Sequence, residues 1–212
     1  MWDRHSVAAV HAQPLFAAAF GDADRLVGLG LRAAAVVFVA VLTAAAAQVS
    51  VPLPFTPVPF TLQPMVVLLG GAALGPRLGA LSQLLYLGAG AAGLPVFAAS
   101  AALPQGVGRL MGPTGGYLLS YPLAALVTGV LAERGFDRRY LTSVLAMLAG
   151  LAVVFTCGVA WLAAFTPAAE GRLASAAVLG LYPFVLADLV KVCVAGAVLP
   201  GVWRFTGLGR GH

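Results

Sequence analysis

Two side chains in this sequence stand where charge is hardest to keep. Asp188 and Lys191 lie in the run Ala187-Asp-Leu-Val-Lys191, inside an otherwise apolar C-terminal stretch. A spacing of three puts them on one face of a helix, about 5–6 Å apart. If that helix lies in lipid, each charge costs at least ~2.5–3.5 kcal/mol, so an ionisable residue there points to a ligand or ion site. The bland alternative is a self-neutralising pair that only fixes helix packing. A carboxylate beside an ammonium can accept from N–H groups and donate to an oxygen, which suits the polar head of a small ligand.

A second cluster is Gly112-Pro-Thr-Gly-Gly-Tyr117. It is not a phosphate loop: a Walker sequence needs Lys and then Ser or Thr after its last glycine, and here Tyr117 and Leu118 follow. The glycines would let a ligand approach a helix start closely, Thr114 could cap that helix, and Tyr117 offers an apolar ring with a polar tip. An ordinary glycine-rich start to a helix reads the same way.

Other chemistries lack their parts. The histidines, His5, His11 and His212, all lie at the termini, and Cys157 and Cys193 form no CxxC pair. No metal site and no cofactor are expected. An intramembrane aspartyl protease needs two carboxylates and the spans offer only Asp188, while a serine protease would want a histidine base. The chain is not expected to be an enzyme.

The elements that must position these residues follow from composition. The 212 residues are 61% hydrophobic and 9% charged, with mean hydropathy +0.97. Globular chains carry roughly 25% charged residues, so lipid is the expected solvent, around one polytopic all-α domain. The net charge of +5 comes from basic residues scattered singly rather than gathered in a stripe, which argues against nucleic acid. Residues 1–25 read as a cytoplasmic tail, 26–206 as a six-helix transmembrane domain and 207–212 as a short C-terminal tail.

The first span is expected from about Leu26 to Val49, ended by a run with prolines at 52, 54, 57 and 59. Two short spans follow, near Leu62 to Leu74 and Leu78 to Ala92, as a hairpin around Gly75-Pro76-Arg77. A loop from Gly93 to Pro113, charged only at Arg109, is long enough to suggest function. The fourth span runs from Gly115 to Ala132, the fifth from Tyr140 to Phe165, and the sixth from Pro183 to Trp203. Residues Leu173 to Tyr182 would form a short re-entrant or surface helix. Asp188 then lies roughly 7–8 Å in from the outer end.

With both termini inside the cell, Arg4, Arg25, Arg32, Arg77, Arg134, Arg138, Arg139, Arg204 and Arg210 are cytoplasmic and only Arg109 and Arg172 are outside. That bias follows the positive-inside rule and turns the Asp188 end outward. Ala40 and Ala44, one turn apart on the first span, make a flat surface for another helix, although the same spacing also serves internal packing. Gly71 and Gly75 are expected to let the second and third spans approach.

Five segments occur together in a familiar order: Pro54-Phe-Thr-Pro-Val-Pro-Phe-Thr-Leu-Gln63, Leu74-Gly-Pro-Arg-Leu-Gly-Ala80, Gly93-Leu-Pro-Val-Phe97, Gly112-Pro-Thr-Gly-Gly-Tyr117 and the Asp188…Lys191 pair. From about Leu26 to Trp203 the chain resembles the BioY family, the substrate-binding subunits of bacterial biotin uptake systems. The resemblance implies a six-helix S-component of an energy-coupling factor (ECF) transporter in the cytoplasmic membrane. Such a subunit binds biotin externally and depends on a transmembrane T-component and a pair of ABC-type ATPases. By position it carries over Asp188, Lys191 and Tyr117, with Thr114, Gln63, Phe97 and Ser100 as neighbours. Ser100 sits in Ala98-Ala-Ser-Ala-Ala-Leu103, where many relatives have a glycine-rich stretch. Arg109 on the lid is the cation expected near the biotin carboxylate, and Ala40 and Ala44 are the expected T-component surface. A binding subunit for another vitamin, or a carrier that needs no ATPase, remains the alternative.

Overall fold

The computed structural model describes residues 13–21, 23–99, 105–166 and 171–206. Its helices are α1 (Leu15–Phe20), α2 (Arg25–Gln48), α3 (Gln63–Leu74), α4 (Pro76–Ala91), α5 (Val107–Met111), α6 (Gly115–Ala132), α7 (Tyr140–Leu162), α8 (Arg172–Gly180) and α9 (Tyr182–Thr206). Among the described residues, four are long and apolar enough to cross a membrane: α2, α6, α9, and α7 with the 3-10 turn that extends it to Phe165. The expectation of six spans is met only to that extent. With 12 and 16 residues, α3 and α4 reach about 18 and 24 Å, short of the ~30 Å hydrocarbon core. Large apolar side chains point outward, Phe38 at 65% and Leu186 at 76% exposure, as on helices solvated by lipid.

Close approach of backbones joins the short hairpin to the centre. A Cβ on Gly79 would lie 2.7 Å from the Cα of Gly71, and one on Gly71 would run into the Ala125 backbone of α6. Gly75 makes the turn between α3 and α4 at φ 83°, a conformation side chains other than glycine's rarely adopt.

Two features depart from the sequence reading. The proline-rich run is closed by a two-residue antiparallel ribbon, β1 (Ser50–Val51) with β2 (Phe60–Thr61), in which Ser50 faces Thr61. Its prolines fall in the intervening loop, where the missing N–H costs no ladder bond. The second concerns Ala40 and Ala44. Ala40 is 7% exposed and belongs to the core, and Ala44 packs against that core. The buried stripe of α2 also carries Val39, which abuts Gly70 of α3, and Thr43, which accepts a 3.3 Å hydrogen bond from Gln83 of α4. Ala40 is therefore taken up by packing within this chain, while Ala44 stays half-buried at the edge of that stripe.

At the end of the bundle where α3 turns into α4, the chain is clasped by polar contacts. The indole N–H of Trp203 donates to Asp137 Oδ2 at 2.6 Å, and the Arg138 guanidinium lies 3.5 Å from the centre of the Trp203 ring. Arg138 also donates to the Gln13 carbonyl, and Pro14 packs on Gly75, tying the N-terminal segment to the same end. Burial raises the Asp137 carboxyl above the ordinary range, opposed by the Trp203 bond and by Arg138. Trp203→Phe keeps a ring under Arg138 but removes the donor to a buried carboxylate, and is expected to destabilise the fold by about 1–3 kcal/mol. Thermal denaturation in detergent checks this; equal midpoints for variant and wild type would mean the bond contributes nothing.

Candidate functional site

The opposite end of the bundle holds a cavity. Its walls come from the loop before α3, the start of α3, the segment around Phe97, α5, and the facing sides of α6, α7 and α9. Of the residues singled out in the sequence, Gln63, Phe97, Arg109, Thr114, Tyr117, Asp188 and Lys191 all line it. Ser100 lies outside the described residues.

Asp188 and Lys191 are 5% and 9% exposed, one turn apart on α9. The Lys191 ammonium donates to Asp188 Oδ1 at 2.6 Å and to the Thr61 carbonyl at 2.6 Å, and it stands 3.6 Å from the centre of the Phe60 ring. Its three donor directions are thus taken by a carboxylate, a carbonyl and an aromatic face. Asp188 Oδ2 makes no hydrogen bond among the described residues, so one charged acceptor remains for a ligand. Because Thr61 sits on β2, the ribbon that closes the proline-rich loop is also what brings an acceptor to the lysine.

Tyr117 uses its polar tip structurally: the hydroxyl donates to the Gly180 carbonyl at 2.8 Å, pinning the end of α8. Its ring lies in a slot bounded by Gly158 and Gly180, where an added Cβ on either would collide with it. Thr114 stands at the N-cap of α6 but does not cap it. Its φ of −89° and ψ of −3° are helical, not the extended geometry from which a hydroxyl reaches back to the first turn. Its Oγ1 is buried on the cavity wall and has no partner among the described residues.

Phe97 is 1% exposed, edge-on to Tyr86 with ring centres 5.5 Å apart, and seated over Gly90, where a Cβ would strike it. Gln63, 3% exposed, donates from its amide nitrogen to the Tyr86 hydroxyl at 2.6 Å. Arg109 is 2% exposed on α5, and burial draws its pKa below the usual arginine value while the nearby Tyr86 opposes that shift. After α5, the Gly112 carbonyl accepts a 2.9 Å bond from the Trp161 indole, which ties the entry of α6 to α7.

The sequence reading missed Thr61, Tyr121, Val154, Phe155 and Phe184 on the cavity wall. Tyr121 and Phe184 were within reach, since each lies four residues from a nominated side chain and therefore on the same helix face. Val154 and Phe155 stand among apolar neighbours on α7, whose few polar residues, Thr142, Ser143 and Thr156, do not line the cavity.

Known proteins share this fold. A crystal structure at 2.1 Å of the S-component for biotin from an ECF-type ABC transporter superposes with a TM-score of 0.71, covering 85% of this chain and 94% of that one. At 21% identity, that likeness speaks for the fold alone. The probable biotin transporter BioY of Pyrococcus horikoshii is 43% identical over 154 residues, 73% of this chain and 85% of that protein. The biotin transporter BioY of Thermotoga maritima is 38% identical over 69% of this chain and 81% of its own length. For the biotin transporter BioY of Rhodobacter capsulatus the figures are 37%, 76% and 86%. The sequence profile of the BioY family matches residues 24–207, a stretch that includes every cavity residue, and the chain belongs to the BioY family.

Proposed function

We propose that this chain captures biotin from the extracytoplasmic side of the cytoplasmic membrane and delivers it inward as the S-component of an ECF transporter. The observation that carries the reading is the buried Asp188–Lys191 pair on the cavity wall, with Asp188 Oδ2 still open as an acceptor. Biotin presents two ureido N–H donors beside a carbonyl, then an apolar thioether ring and an alkyl chain ending in a carboxylate. Asp188 suits a ureido N–H, the aromatic walls suit the ring and chain, and Arg109 suits the carboxylate. The proposal includes a T-component and paired ATPases as partners, supported by the S-component fold and by the absence of a nucleotide-binding loop from the sequence. Purification followed by mass spectrometry of retained small molecules tests the ligand, with calorimetric titration of biotin alongside. Retention of a different vitamin, together with no heat from biotin, would overturn the reading.

Six crossings and two cytoplasmic termini complete the proposal. Gln63 at the start of α3 lines the cavity, whereas Gly75 at its end meets Pro14 at the clasped end, so α3 traverses the bundle and α4 returns. The clasped end collects Arg77, Arg134, Arg138, Arg139 and Arg204, which favours the cytoplasm. Arg134 is exposed, so Arg134→Cys is expected to react with an impermeant maleimide only after the membrane is opened. Labelling of intact cells would invert the topology and turn the cavity inward.

A further inference from the structure

Tyr86 does not line the cavity, yet it touches two parts that do. It is 1% exposed on α4, and its hydroxyl lies 2.6 Å from Gln63 Nε2 and 3.3 Å from the carbonyl of Val96, next to Phe97. A phenol has one proton to give. The Val96 carbonyl can only accept, so the proton goes there and the phenol oxygen accepts from Gln63. One N–H of the Gln63 amide goes to Tyr86, which fixes the plane of the amide, and Oε1, which accepts no hydrogen bond among the described residues, is left for the cavity that Gln63 lines. The flipped amide would draw the phenol proton to Gln63 and leave the Val96 carbonyl facing an oxygen without a donor, a costly state for a buried pair.

We propose that Tyr86 is a positioning residue that determines specificity: its hydroxyl orients Gln63 so that the cavity offers a carbonyl acceptor, and holds the Val96–Phe97 segment over the site. A ligand with N–H donors is selected at that point, and one without them leaves Oε1 unmatched. In naming biotin as that ligand, the inference rests on the function proposed above. One ureido N–H then goes to Asp188 and the other to Gln63. The edge-on contact with Phe97 and the stacking on Tyr121, centres 6.5 Å apart, fix the Tyr86 ring independently of its hydroxyl, so phenylalanine can take its place.

The test compares biotin with its two mono-methylated ureido derivatives on wild type, Tyr86→Phe, Gln63→Leu and the double variant, by titration in detergent. Wild type is expected to prefer biotin over both derivatives. Tyr86→Phe should weaken biotin about tenfold, the scale of one hydrogen bond left unmade, and weaken one derivative far less. Gln63→Leu should lose the same discrimination, and the double variant should be no weaker than Gln63→Leu alone, because both substitutions break one relay. A purely structural tyrosine would instead lower affinity for all three ligands by one factor, and that result, or multiplying effects in the double variant, overturns the inference. Should Tyr86→Phe not fold, Gln63→Leu decides by itself: undiminished discrimination overturns the proposal. A wild-type protein that ignores biotin fails at an earlier step, overturning the ligand assignment and this inference with it, whereas wild-type binding with an unchanged ligand ratio in the variants overturns the inference alone.

Discussion

Asp188→Asn is expected to weaken biotin binding by about 2 kcal/mol or more, roughly thirtyfold, because it removes a charged hydrogen-bond acceptor without changing its volume. In the wild type the Lys191 ammonium is held by Asp188 Oδ1 and the Thr61 carbonyl, both at 2.6 Å, which leaves Oδ2 to meet the ligand. Asparagine neutralises the partner of a buried cation and puts an N–H where an acceptor is needed at one of its two positions. Calorimetric titration reads the loss, and an unchanged dissociation constant would sink the role assigned to this carboxylate. The orientation of biotin is decided with its amide, which lacks the charge on the chain. Lys191 has no donor direction to spare for a distant carboxylate, so the amide should lose equal affinity on wild type and on Lys191→Met. A far larger loss on wild type would make Lys191 the carboxylate's partner and reverse the ligand.

What could be read from the sequence depended on contrast with an apolar background. Asp188 and Lys191 stood out because nothing else in the last span carries charge, and Gly75-Pro76-Arg77 marked the turn between α3 and α4 to within a residue. The short helix before the last span, expected at Leu173 to Tyr182, lies at Arg172–Gly180. Where contrast vanishes, so does legibility. In a soluble helix, Ala40 on the buried stripe would differ in type from its exposed neighbours, but here Phe38 and Val41 face outward and are more apolar than the alanine they flank. Lipid and core are equally hydrophobic, so the sequence could not say which side of α2 its own helices would take. Thr114 failed for another reason: the residue type suits a cap, but backbone angles decide whether the hydroxyl can reach, and those depend on how α5 and Gly112 deliver the chain to α6. The Lys191–Thr61 bond joins residues 130 apart in the chain, and no local spacing announces it.

The second large effect is expected from a residue with no side chain. Gly158 on α7 and Gly180 at the end of α8 flank the Tyr117 ring, and a Cβ on Gly158 would overlap that ring. The backbone of α7 cannot retreat cheaply, since the same helix meets α6 again at Gly150, where a Cβ would lie 2.5 Å from the Thr128 hydroxyl oxygen. The ring on the other side cannot move past Gly180, whose carbonyl accepts its hydroxyl at 2.8 Å. The free direction is into the cavity that Tyr117 lines. Gly158→Ala therefore carries an overpacking cost of about 1–3 kcal/mol and, by pushing the ring into the ligand's space, should weaken biotin at least about tenfold. Gly158→Leu should abolish binding. Tyr117→Phe loses only the bond to Gly180 and should do much less, which separates a steric cause from a hydrogen-bonding one. Adding Tyr117→Leu to Gly158→Ala restores room, and the double variant should bind more tightly than Gly158→Ala alone, despite losing the aromatic ring. Titration of monodisperse protein checks all four variants; if Gly158→Ala bound biotin as wild type does, α7 would be free to retreat and the Tyr117 slot would not shape the site.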